Sequence, residues 1–95
     1  MFLLFLRFTD RKADAPKLME GHRAWIAKGF AEGGFLFVGT LKPAAGGVIV
    51  AHDTTAESLE ALVAEDPFVI EGVVTAEIHE VDPARTDARL DFLAA

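Results

Sequence analysis

The stretch Phe2-Leu-Leu-Phe-Leu-Arg-Phe-Thr9 decides the fold. Leucine is not a strand marker, so composition alone leaves helix and strand open. The stretch is short and runs directly into Thr9-Asp10-Arg11-Lys12, a turn-like group, which favours a strand. Strand side chains alternate between faces. Phe2, Leu4, Leu6 and Phe8 therefore share one face, and Leu3, Phe5 and Arg7 the other. Both faces are largely apolar.

The rest of the chain supplies partners for this strand. A helix is expected over roughly Ala15 to Glu32, with Asp14 as its cap and Pro16 in its first turn. Leu18, His22, Trp25, Ile26 and Gly29 recur at spacings of three and four and share one helical face. Gly33-Gly34 ends it. Phe35 to Leu41 reads as a second strand, with Phe35, Phe37 and Leu41 on one face and Leu36 and Val38 on the other. Lys42 to Gly47 is a loop, and Val48 to His52 a third strand. A second helix opens at Thr54, which stands in capping-box register with Glu57, and buries Leu59, Leu62 and Val63. It is expected to stop near Asp66, because Pro67 disfavours α geometry in the residue before it. Phe68 to Gly72 is a turn or a single helical turn, and Val73 to Val81 a β-branched, alternating fourth strand.

The order β-α-β-β-α-β is the ferredoxin-like arrangement of the α+β class. Strands one and three take the centre of an antiparallel sheet, and both helices cover one face. The other face would then be an apolar patch, which soluble monomers rarely carry. Packing it against a second copy by two-fold symmetry removes the difficulty, so a homodimer is expected.

Composition narrows the function. The chain has 95 residues, 52% of them hydrophobic, and no cysteine. One domain is expected over residues 1–95, with 82–95 as a C-terminal tail. Without cysteine there is no disulfide, thiolate metal site or thiol nucleophile. A soluble, cytoplasmic protein is expected, since no membrane span or signal segment is evident. The net charge of −6, without a basic stripe, argues against nucleic acid as a partner.

His22, on an apolar helical face, is a candidate general base. Asp66, read as a carboxylate at a helix C-terminus, opposes the helix dipole there and so invites an imidazole or cationic partner. His52 and His79 lack a second histidine at ligand spacing, so no metal is expected. Gly46-Gly47 does not open a helix, so it is read as part of a hairpin rather than a phosphate loop.

Four elements resemble the YCII-related (YciI-like) family: His22-Arg-Ala-Trp-Ile, Phe37-Val-Gly-Thr-Leu, Gly46-Gly-Val-Ile-Val, and Asp66-Pro-Phe-Val with Gly72-Val-Val. The likeness covers about residues 1–82. It implies a dimeric α/β barrel and a catalytic pair at His22 and Asp66. A related member acts as a dehydrochlorinase on a chlorinated hydroxyquinol. Many relatives carry Gly-Pro where this chain has Gly39-Thr40, so the substrate is left open.

The expected function is a cofactor-free lyase or isomerase of dehydrochlorinase type, acting on a small oxygenated, cyclic molecule. His22 would take a proton and Asp66 would fix its tautomer. Phe8, Trp25, Gly39, Thr40 and Phe68 are the expected walls. The alternative is a dimer that binds or senses a small molecule without chemistry.

Overall fold

A computed structural model describes residues 1–94. Four strands, β1 (Phe2–Phe8), β2 (Phe35–Leu41), β3 (Gly46–Ala51) and β4 (Val74–Glu80), form one antiparallel sheet in the order β2-β3-β1-β4. The connecting helices are α1 (Ala15–Glu32), α2 (Ala56–Val63) and the single turn α3 (Pro67–Ile70). This is the expected α+β ferredoxin-like layout, with β1 and β3 central. β3 begins two residues earlier than its β-branched core suggests, since Gly46 and Gly47 pair with Arg7 and Leu6.

The core lies between the sheet and the helices. Phe2, Leu4 and Leu6 of β1 are buried, with Ile49 and Ala51 of β3 beside them. Leu59, Leu62 and Val63 of α2 close over them from above. Burying each large aliphatic side chain is worth about 1.5–3 kcal/mol. A close approach of α1 to β2 depends on Gly29: a Cβ there would run into the Phe35 ring.

Three local expectations are corrected. The Asp14 side chain does not cap α1; it pairs instead with Arg11 and Lys17, and a 3-10 turn over Lys12–Asp14 leads into the helix. The α2 cap is Thr55, not Thr54: the Thr55 hydroxyl accepts from the Ser58 N–H at 3.1 Å. Finally, Phe35 and Phe37 do not share a face. Phe35 pairs with Ala51 and Phe37 with Val50, so Leu36 is an extra residue in a β-bulge. The bulge reverses the alternation, leaving Phe35 buried in the core and Phe37 54% exposed on the opposite side.

The helix-free face therefore carries Leu3 and Phe5 from β1, Val48 and Val50 from β3, and Phe37 from β2. Along the β4 edge it turns polar, with Thr75, Glu77 and His79. Arg7 donates to Glu77 there at 2.9 Å and sits over the Phe5 ring. The 3-10 turns over Ala88–Ala94 bury none of their residues. Among the described residues no helix is long and apolar enough to cross a membrane.

Candidate active site

His22 projects from the middle of α1 and meets Asp66, 44 residues further along the chain. Its Nδ1 lies 2.8 Å from Asp66 Oδ1. Phe68 stacks flat on the imidazole, with ring centroids 4.0 Å apart and planes 5° from parallel. Trp25 flanks it more loosely at 5.8 Å. The ring is thus held in plane by Phe68 and in rotation by Asp66. Its side chain is 13% exposed.

Asp66 is fully buried. It does not end α2 in the sense the sequence suggests. α2 stops at Val63, and Asp66 instead caps α3: its Oδ1 accepts from the Phe68 N–H at 3.1 Å, and Pro67 takes the first helical position. A carboxylate is favoured there, so the expected dipole conflict is absent. The contact itself, not the dipole, ties Asp66 to the imidazole. Asp66 Oδ2 is buried without a hydrogen-bond partner. α3 can approach α1 this closely because Gly21 precedes His22; a Cβ at that position would stand 3.2 Å from the Pro67 ring.

A carboxylate can only accept, so Nδ1 is the donor in this contact; in the neutral imidazole that tautomer leaves the lone pair on Nε2. His22 lines a cavity of about 310 Å³ on the helix side of the sheet. Leu6 and Ile49 form its floor. Met19, Arg23 and Ile26 of α1 make one wall, and Val38 to Thr40 of β2 the other. Gly47 pairs with Leu6, so the side chain it lacks would point to this side; a Cβ there meets nothing nearer than the Gly39 carbonyl at 3.4 Å.

Of the expected walls, Phe8, Gly39, Thr40 and Phe68 line this cavity. Trp25 does not. It is core: its Nε1–H donates to the Leu62 carbonyl at 2.7 Å, and its ring meets Phe35 edge-on. The core claims it because α2 offers the Leu62 carbonyl to its indole N–H and Phe35, at the start of β2, packs against its ring. Met19, Arg23 and Ile26 were missed, although their spacing of four and three places them beside His22 on the helix. His52 and His79 stand apart from the site, His52 against Phe92 and His79 near Glu77. Among the described residues no group of three or more His, Asp or Glu is placed to hold a metal ion.

The fold and this constellation define a small α+β domain with an imidazole–carboxylate pair at an apolar cavity. The chain belongs to the YCII-related domain family, whose model matches residues 1–82. Among solved structures it is similar to 5-chloro-2-hydroxyhydroquinone dehydrochlorinase (TftG) from Burkholderia phenoliruptrix AC1100, in complex with 2,5-dihydroxybenzoquinone. That match has a TM-score of 0.69 at 15% identity and covers 85% of this chain and 93% of the other. At that identity the likeness speaks for the fold. No curated protein sequence matches the chain.

Proposed function

We propose that this protein is a lyase or isomerase in which His22 is the general base and Asp66 its positioning partner. The observation that carries this reading is the 2.8 Å contact at Nδ1, on a ring that lines a cavity. With Nδ1 engaged, Nε2 takes a proton from a carbon or hydroxyl of the ligand. Asp66 stabilises the imidazolium that results, as the orienting acid does in a triad. In an elimination, the electron pair left behind forms the new double bond and expels an anionic leaving group. In an isomerisation, the imidazolium returns the proton to a different atom. A positioned base of this kind contributes about 10²–10⁴-fold.

The substrate class is a small oxygenated, cyclic molecule. The apolar floor and the aromatic rings of Phe8 and Phe68 suit a flat ring. The structural neighbour's substrate, a chlorinated hydroxyhydroquinone, is of that class. The working unit is a homodimer, formed through the helix-free face that presents Leu3, Phe5, Phe37, Val48 and Val50.

The test is chloride release from 5-chloro-2-hydroxyhydroquinone, followed alongside proton exchange in unchlorinated hydroxyquinols and lactones. Turnover lost in both His22→Ala and Asp66→Asn supports the reading. Turnover retained in both variants sinks the dyad. Thermal stabilisation by these compounds without any product, in the wild type, favours a binding or sensing dimer instead.

A further inference from the structure

We propose that the cavity beside His22 selects an anion: a flat, single-ring molecule whose negatively charged oxygen group, carboxylate or phenolate, is held by Arg23. This rests on the site reading above and adds the charge of the substrate and the residue that reads it.

The cavity's lining carries the argument. The protein is acidic overall, with 15 Asp and Glu against 9 Lys and Arg. Yet no carboxylate lines the cavity, and Arg23 is its one permanently charged lining residue. Several cations elsewhere are neutralised locally. Arg7 pairs with Glu77, Arg11 and Lys17 with Asp14, Lys28 with Glu65, and Arg89 with Asp87. Among the described residues Arg23, Lys12, Lys42 and Arg85 have no such partner, although Glu20 stands one helical turn before Arg23; of these only Arg23 lines the cavity. A second cation stands beside a lining ring and donates to the Ala44 carbonyl at 2.7 Å. Lys12 Nζ lies 5.1 Å from the centroid of Phe8, a lining ring.

Geometry and size set the rest of the ligand. Arg23 follows His22 directly on α1, and both face the cavity. An anionic group held by the guanidinium keeps the rest of the ligand in the cavity that His22 also lines. A guanidinium meets a carboxylate through two parallel N–H bonds, which fixes orientation as well as charge. Negative charge that builds on a ring oxygen when His22 removes a neighbouring proton is stabilised by the same group. The volume of about 310 Å³ equals about ten waters at ~30 Å³ each, so the ligand has about ten heavy atoms.

Benzoate and benzamide test this, because they match in shape and differ in charge. Their affinities are measured by calorimetry on the wild type and on Arg23→Gln, a substitution at an exposed position. The His22 ring resonances are followed by NMR in parallel. Benzoate is expected to bind about tenfold more tightly than benzamide, the effect of one charge-assisted contact. That preference disappears in Arg23→Gln and shrinks as salt is raised. Equal affinities in the wild type, or a preference that survives Arg23→Gln, overturn the anion assignment. If the His22 resonances still move in that case, the site itself stands. If neither compound moves them, the site reading fails and the anion assignment falls with it.

Discussion

Replacing His22 with alanine strips a fully buried carboxylate of one of its two donors. Asp66 Oδ1 then keeps only the Phe68 N–H, and Oδ2 has no partner to begin with. Removing the donor to a buried carboxylate costs about 1.5–3 kcal/mol, because the charge loses a hydrogen bond that water cannot replace. At about 4–8 °C per kcal/mol for a domain of this size, the Tm falls by roughly 6–24 °C. With a urea m-value of roughly 1.5 kcal/mol/M, the midpoint falls by about 1–2 M. The second half of the prediction fixes the cause. In the wild type, Asp66→Asn is destabilising by about 1–2 kcal/mol, since the charge-assisted bond to His22 is lost while an amide oxygen still caps α3. In the His22→Ala background the same change removes an orphaned charge and recovers about 2 kcal/mol. The sign of Asp66→Asn thus depends on whether His22 is present. Urea unfolding of all four proteins at one protein concentration measures this directly. A His22→Ala cost below about 1 kcal/mol, or an Asp66→Asn effect of the same sign in both backgrounds, refutes the claim that these two groups compensate each other.

Three further outcomes are expected. Phe5→Asp, on the helix-free face of β1, gives a monomer or an aggregate, because a charge replaces a ring at the centre of the proposed dimer contact; an unchanged sedimenting dimer counts against that face. Thr55→Ala lowers stability by about 1 kcal/mol by removing the α2 cap, whereas Thr54→Ala is near neutral, and the reverse ranking in thermal melts returns the cap to Thr54. Hydrogen bonding from Arg7, then from His79, holds the Glu77 carboxyl below the usual glutamate range. The contribution of that pair to stability is therefore present above the ordinary glutamate range and fades as pH falls through the lowered value. Side-chain carboxyl NMR should show Glu77 titrating higher in Arg7→Ala, and no change there removes Arg7 as the cause.

Much of this molecule is written in short-range pattern. Alternation in Phe2–Phe8 and Val74–Glu80, and the three-and-four spacing around His22, specify strands and helix because a side chain's face depends only on local backbone period. The order of those elements, with the preference for right-handed crossovers, fixes the sheet order. The Asp-Pro pair marks a break in the chain for an equally local reason, the steric demand of the proline ring on the residue before it. His22 and Asp66 were legible as candidates on these grounds.

Their meeting was not derivable from spacing; only the family resemblance implied it. It depends on α3 seating against α1 over Gly21, and no periodicity links residues 44 positions apart. The same holds for the bulge at Leu36, which sends Phe35 inward and Phe37 outward. A strand pattern of period two carries no sign of an inserted residue; the pairing with β3 decides it. Trp25 shares the helical face of His22 in sequence, yet the core takes it, because α2 offers the Leu62 carbonyl to its indole N–H and Phe35 packs against its ring. The sequence by itself determined which segments form and which faces are apolar. Tertiary packing alone decided which polar groups are brought into contact, because that depends on where separate elements come to rest against one another.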